Sequence, residues 1–183
     1  MSQQRSGRGM AACSLYNRVM SMPAQTRPST ADGFSNPPLD DIRVLLRTLR
    51  VIAVVGFSPR PTRPSNNLSR QMQRFGLRII PIRPGISEGL GEPAYASLSD
   101  MPPALRAQVD LVNVFRDSRY VPDIVEESLA LGMKALWLQE GVWHAEAGQR
   151  ARDGGMQVIM DRCLMRDYAR LAMSDAPTPA TEH

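Results

Sequence analysis

The chain has 183 residues, of which 43% are hydrophobic and only 5% aromatic, enough for one domain with an aliphatic core. The formal charge of +4 lies in residues 1–31, which hold four arginines and no acid, whereas the remaining basic residues equal the 18 acidic ones in number. This neutral remainder argues against a nucleic-acid partner, and no run approaches the roughly 18 apolar residues of a membrane span.

Two polar segments flank a patterned centre. Residues 1–37 are aperiodic and predict a disordered N-terminal extension, and residues 174–183 predict a disordered C-terminal tail. The domain is therefore predicted at residues 38–173. Cys13 and Cys163 lie far apart, one of them in the extension, so we expect no disulfide and a cytoplasmic location.

Within the predicted domain, short aliphatic runs alternate with segments of helical periodicity. The helices are predicted at residues 40–50, 65–75, 118–131, 143–152 and 161–173. The strands are predicted at residues 51–55, 77–82, 109–114, 135–138 and 157–160. Short, uniformly apolar strands that alternate with helices indicate a parallel sheet buried on both faces. We therefore expect an α/β fold with a single doubly wound, five-stranded Rossmann-like sheet in the order 3-2-1-4-5, flanked by helices, with its ligand at the carboxyl end of the central first strand.

The loop after the first predicted strand has the chemistry of an anion site, in the segment VIAVVGFSPRPTRPS. Gly56 allows a tight turn and a close ligand approach. The helix that begins near Ser65 directs free N–H groups and a partial positive charge toward the strand ends. Ser58 adds a hydroxyl group, and Arg60 and Arg63 add guanidinium groups. These groups favour a pyrophosphate or a similar anion, although a rigid, proline-braced turn with solvated arginines is the alternative.

The nucleotide that would fit this loop is restricted by two further features. The GxGxxG motif of dinucleotide-binding sheets is absent. The second strand reads IIPIRPG, so Arg83 lies where an NAD-binding sheet needs a carboxylate for the ribose. An arginine would instead pair with a phosphate on the ribose. Plain NAD is therefore disfavoured, and NADP or the 3′-phospho-ADP portion of coenzyme A (CoA) remains.

A longer set of segments carries a resemblance to a known family. These segments are VIAVVGFSPRPTRPSN, GLRIIPIRPG, LGEPAYASLSDMP and VDLVNVFRDSRYVPDIVEESLALGMKALWLQEGVWHAEAGQRARDGGMQVIMDRCL. Together they span about residues 50–170, and they resemble the small stand-alone CoA-binding proteins, which are single Rossmann-like domains similar to the CoA-binding domain of the succinyl-CoA synthetase α-subunit. The resemblance implies a small-molecule ligand, CoA or an acyl-CoA, and it implies no common reaction.

The resemblance also implies roles for individual residues. Those that would line the CoA diphosphate site are Gly56, Phe57, Ser58, Arg63 and Ser65. Those that would lie beside the nucleotide are Pro81, Arg83 and Pro84, although this chain has Ile82-Arg83-Pro84 where the family usually has a V-N-P-like segment. Those that would border the adenine and phosphates are Phe115 and Arg116.

Residues at other predicted strand ends have two interpretations each. Arg116 could clamp a phosphate or could pair with Asp117 or Asp110, and we favour the ligand role. Gln139 could hydrogen-bond the ligand or the backbone. Glu140 is conceivable as an acid or base, but a solvated loop carboxylate is the simpler interpretation.

No catalytic or metal-binding set of residues is evident. The two histidines, His144 and His183, form no Ser-His-Asp relay or metal cluster. Cys163 begins the last predicted helix, where it could be an activated thiol, but a buried residue at the start of the helix is the simpler interpretation. We therefore predict a CoA-binding module without catalysis of its own. The alternatives are an NADP-dependent oxidoreductase and a regulatory or scaffolding protein with an empty pocket, and a homo-oligomer or a protein partner remains open.

Overall fold

The computed structural model describes residues 33–172. Most of the predicted extension and tail, residues 1–32 and 173–183, therefore lies outside the described residues. Phe34 is buried against the ring of Trp143. The side-chain amide of Asn36 exchanges two hydrogen bonds of 2.8 Å with the backbone of Met160. The packed part of the chain thus begins before residue 38.

Five parallel strands form the central sheet, and almost all of their residues are buried. These strands are β1 (Val51–Val55), β2 (Arg78–Ile82), β5 (Leu111–Val114), β6 (Ala135–Leu138) and β7 (Gln157–Ile159). A separate antiparallel pair, β3 (Glu88–Gly89) and β4 (Glu92–Pro93), lies between β2 and β5 in the chain. Because the main strands are apolar along most of their length, they require cover on both faces. The prediction of an α/β fold with one five-stranded parallel Rossmann-like sheet is confirmed.

Helices lie in all five segments predicted to be helical, and a further short helix before β5 was not predicted. They are α1 (Leu39–Thr48), α2 (Pro64–Arg74), α3 (Pro103–Arg106), α4 (Val121–Ala130), α5 (Ala145–Asp153) and α6 (Leu164–Asp167). A 3-10 turn, Ser118–Tyr120, precedes α4, and a π-helical turn, Tyr168–Ala172, follows α6. The last helix begins later than predicted because Asp161 has a left-handed backbone (φ 54°) that a helix cannot include.

The predicted strand order 3-2-1-4-5 is wrong. The observed order is β2-β1-β5-β6-β7, in which the third core strand, β5, pairs with β1. Pro81 explains why no strand of residues 33–172 adds outside β2. Its carbonyl faces the outer edge and accepts from the backbone N–H of Tyr95 at 3.0 Å, and its ring leaves no N–H on that side. The segment around Tyr95 covers this edge with a single bridge to Ile82.

The corrected order still has a point where the chain changes direction across the sheet. From β1 the chain goes to β2 on one side and then returns to β5 on the other. In open α/β sheets, ligands bind beyond the carboxyl ends of the strands at such a switch point. The loop between β1 and α2 lies at this position.

Candidate functional site

A pocket of about 540 Å³ opens at the carboxyl end of β1. Its walls come from the loop after β1, the start of α2, and the residues that follow β2 and β5. The lining residues are Gly56, Ser58, Pro59, Arg60, Arg63, Pro64, Ser65, Arg83 and Phe115. Seven of the twelve residues predicted for the site therefore lie together, whereas Pro59 and Pro64 were not among the predicted ones.

Gly56 shapes the entrance of the loop. Its φ is +84°, and a Cβ atom at this position would lie 2.9 Å from the Cδ of Arg116 and 3.2 Å from the carbonyl carbon of Phe115. Its N–H donates to the carbonyl oxygen of Ile82 at 3.1 Å. Both the left-handed backbone and the close approach of a neighbouring strand end therefore require glycine here.

Buried polar side chains hold the loop in one conformation. The Oγ of Ser65 accepts from the backbone N–H of Ser58 at 3.0 Å. The Nδ2 of Asn66 donates to the carbonyl oxygen of Ser58 at 2.9 Å, and its Oδ1 accepts from the Nε of Arg70 at 2.8 Å. Ser65 and Asn66 are both buried. Since all these bonds join groups of the protein itself, they fix the loop, and the hydroxyl of Ser65 still has its own proton to donate.

The N-terminus of α2 faces the same pocket. Pro64 occupies its first turn, and no side chain caps it. Within residues 33–172, the backbone N–H of Ser65 donates to no protein acceptor. This N–H and the positive end of the eleven-residue helix therefore remain available to an anion.

The lining carries three arginines and no carboxylate. These are Arg60, Arg63 and Arg83, and no Asp or Glu of the described residues forms an ion pair with them. The NH1 group of Arg83 donates to the carbonyl oxygen of Phe57 at 3.1 Å, a neutral partner that leaves its charge uncompensated. The pocket is therefore suited to an anion with more than one negative group.

Three other predicted site residues are held elsewhere. The side chain of Phe57 is fully buried and its ring packs on Gly89, while its carbonyl oxygen accepts from Arg83. Pro81 is buried within β2. Gln139 is also buried, and its Nε2 donates to the Oδ1 of Asn113 at 2.9 Å. Their predicted ligand contacts remain predictions.

Arg116 and Pro84 are exposed and do not line the pocket. The guanidinium of Arg116 lies 4.2 Å from the ring centre of Tyr120, while its aliphatic part contacts Gly56. The carboxylates that could have paired with Arg116 are used otherwise. Asp110 accepts from two backbone N–H groups at the start of β1, and Asp117 caps the 3-10 turn.

The polar residues that follow β6 and β7 are held by ion pairs and by a hydrogen bond to the backbone. Glu140 forms a two-pronged ion pair with Arg166, with a shortest distance of 2.6 Å, and Arg162 pairs with Asp167 in the same way. The Oδ1 of Asp161 accepts from the N–H of Gly141 at 2.8 Å. Glu140 is therefore an exposed loop carboxylate, as the simpler interpretation has it, and it is also ion-paired with Arg166.

The candidates for acid–base or thiol chemistry have structural roles. Cys163 is buried at the start of α6, and burial raises the pKa of its thiol. The Nδ1 of His144 caps α5 by accepting from the N–H of Ala147 at 3.2 Å. Among the described residues, no group of His, Cys, Asp and Glu could hold a metal ion, and no helix could span a membrane. The simpler interpretation of Cys163 thus agrees with its environment.

A Rossmann-like sheet with a cationic pocket at its switch point defines a nucleotide-binding class of domain. Within that class, the family model described as CoA binding domain matches residues 50–169. The chain therefore belongs to the CoA-binding domain family. The match covers every lining residue of the pocket and leaves out Phe34 and α1.

Three relatives illustrate the similarity. The uncharacterized protein YneT of Bacillus subtilis (strain 168) is 40% identical over 134 residues, which cover 73% of this chain and 96% of YneT. The structure of cell-free ID.343 from Thermus thermophilus is 35% identical, with a TM-score of 0.67, and the match covers 74% of this chain and 99% of that one. The ADP-forming acetate–CoA ligase I of Archaeoglobus fulgidus is 24% identical over 135 residues, which are 68% of this chain but 19% of the ligase.

Proposed function

We propose that this protein binds CoA or an acyl-CoA in the pocket at the end of β1 and acts as a ligand-binding module. The observation that carries the proposal is the pocket lining, which combines three arginines with no carboxylate in a chain of the CoA-binding domain family. Its volume is within the 300–1,000 Å³ typical of small-molecule sites.

The diphosphate of CoA fits the chemistry of the loop and helix start. The free N–H of Ser65 and the hydroxyl of Ser65 can donate to one phosphate oxygen each, and Arg60 and Arg63 supply charge on the same side. Because the loop is already held by Ser58 and Asn66, binding would require little ordering of the backbone.

We further propose that the protein catalyses no reaction of its own. Glu140, the candidate acid or base, is held by Arg166, and Cys163 is buried with a raised pKa, which disfavours the reactive thiolate. The ligase relative matches over only 19% of its own length, so its activity is not carried over to this chain.

The proposal is tested by identifying the bound nucleotide. Native mass spectrometry of the purified protein should find CoA or an acyl-CoA. In thermal denaturation, CoA and acetyl-CoA should raise the midpoint, since a ligand at 100 times its Kd adds about 2.7 kcal/mol of stability. NAD and ATP at the same concentration should have a smaller effect.

Two outcomes would contradict the proposal in different ways. Binding of NADP without binding of CoA would favour the oxidoreductase. An unchanged midpoint with every nucleotide would favour a regulatory or scaffolding protein whose pocket is not used.

A further inference from the structure

Arg83 occupies one particular side of the pocket. It directly follows β2, whereas Phe115 follows β5, and β1 lies between these two strands. Arg83 and Phe115 therefore line opposite flanks of the pocket, with the loop and the start of α2 between them. In Rossmann-like sheets, the diphosphate lies at the helix start after the first strand and the ribose lies beside the end of the second. This places Arg83 next to the ribose of a bound nucleotide.

The guanidinium of Arg83 is oriented but not neutralised. Its NH1 donates to the carbonyl oxygen of Phe57 at 3.1 Å, which ties the side chain to the loop after β1. This is one of the five N–H donors of the group, and no carboxylate of residues 33–172 forms an ion pair with it. The remaining donors and the full charge are available to an anion on the ribose side.

The other two arginines of the lining lie on a different segment. Arg60 belongs to the loop and Arg63 is the residue that precedes the first turn of α2, so both are close to the helix start where a diphosphate would bind. Arg83 is thus a third cation, placed away from that end. A ligand that engages all three needs a further negative group beyond its diphosphate.

We propose that Arg83 makes the pocket selective for a nucleotide with a phosphorylated ribose. This inference rests on the proposed function, and for CoA the group that Arg83 reads is the 3′-phosphate. Dephospho-CoA, which has the same adenosine, diphosphate and pantetheine arm, lacks only that phosphate. Arg83 therefore discriminates between these two molecules while contributing little to the parts they share.

The test compares CoA with dephospho-CoA by isothermal titration calorimetry, on the full chain and on Arg83→Gln. Glutamine keeps an N–H that can donate to Phe57 but removes the charge. We expect the unchanged protein to bind CoA at least about tenfold more tightly than dephospho-CoA, the size of one charge-assisted hydrogen bond. Arg83→Gln should lower the affinity for CoA to near that for dephospho-CoA and leave the latter within about twofold. The matched control is Arg74→Gln, an exposed arginine at the other end of α2, which should keep the preference.

The contrary outcomes separate this inference from the proposed function. Equal affinity of the unchanged protein for CoA and dephospho-CoA would overturn the role of Arg83 while CoA binding stands. An equal loss for both ligands in Arg83→Gln would also overturn it, since it would show that Arg83 only positions the loop. Binding of NADP but not NAD, with no binding of CoA, would keep the inference for Arg83 and overturn the choice of CoA. Binding of none of these nucleotides would overturn both.

Discussion

Replacing Gly56 by alanine should both destabilise the domain and weaken nucleotide binding. Gly56 has a φ of +84°. A residue with a Cβ atom in this left-handed region lowers the stability of the fold by about 1–2 kcal/mol. The new Cβ would lie 2.9 Å from the Cδ of Arg116 and 3.2 Å from the carbonyl carbon of Phe115. Arg116 is exposed and can rotate away, but the backbone of Phe115 cannot.

The expected magnitude follows from these separate effects. Rotation of Arg116 would lose its contact with Tyr120, at 4.2 Å from the ring centre, which is about 0.5–1 kcal/mol at an exposed site. Displacement of Phe115 would strain its backbone hydrogen bond to Val55, now 2.9 Å, by about another 1 kcal/mol. With the backbone strain, Gly56→Ala should lower the free energy of unfolding by about 2.5–4 kcal/mol.

Gly76→Ala provides a matched control. Gly76 ends α2 with a φ of +85°, but nothing lies within 4 Å of the place where its Cβ would be. The free energy of unfolding of Gly76→Ala should therefore decrease only by the cost of the left-handed backbone, about 1–2 kcal/mol. Urea denaturation measures both variants, and calorimetry with CoA measures the pocket. Gly56→Ala should bind CoA more weakly, whereas Gly76→Ala should bind it as the unchanged protein does.

Equal destabilisation by the two substitutions would show that the atoms around Gly56 leave enough room for the methyl group of alanine. If Gly56→Ala also kept full CoA affinity, the pocket at the end of β1 would not be the site of binding.

Three further experiments test separate parts of the molecule. Phe34→Ala should lower the free energy of unfolding by about 3–5 kcal/mol in urea denaturation, because the ring is buried; a loss below about 1 kcal/mol would mean that this segment does not pack on the domain. Cys163 should react with a thiol reagent at neutral pH only after unfolding. Since its folded pKa is raised, its contribution to stability is complete below about pH 8.5, where the unfolded thiol ionises, and decreases above it; fast labelling of the native protein would contradict this. Arg63→Ala should weaken CoA binding by ~1–3 kcal/mol in calorimetry, and Arg116→Ala, whose guanidinium lies on Tyr120 outside the lining, should weaken it less; the opposite ranking would argue for a ligand contact at Arg116.

The pocket was largely predictable because most of its lining is local in the chain. Seven of the nine lining residues lie between Gly56 and Ser65, and a strand followed by a glycine, arginines and a helix start has a strong preference for one geometry. Arg83 and Phe115 could be added because the carboxyl ends of parallel strands meet at one edge of the sheet.

The strand order and the direction of single side chains were harder to predict. Whether the third strand pairs with β1 or β2 depends on contacts between distant segments, although Pro81 was a usable signal because proline in a strand indicates an edge. Phe57 was placed in the site by the family resemblance, yet its large apolar side chain is buried. Asn66 was missed because its function is to bond the carbonyl of Ser58, a contact that exists only once the loop has formed.

Both edge strands of the parallel sheet, β2 and β7, are poorly suited to backbone pairing with a strand of another molecule. On one side, Pro81 and the Tyr95 bridge occupy the outer groups of β2. On the other, β7 is three residues long and the amide of Asn36 takes both backbone groups of Met160, the residue that follows it. Lateral growth of a sheet from one molecule into the next needs a free run of backbone donors and acceptors. We therefore expect any self-association of this domain to use side-chain surfaces and to respond to substitutions on helices rather than to those that block strands.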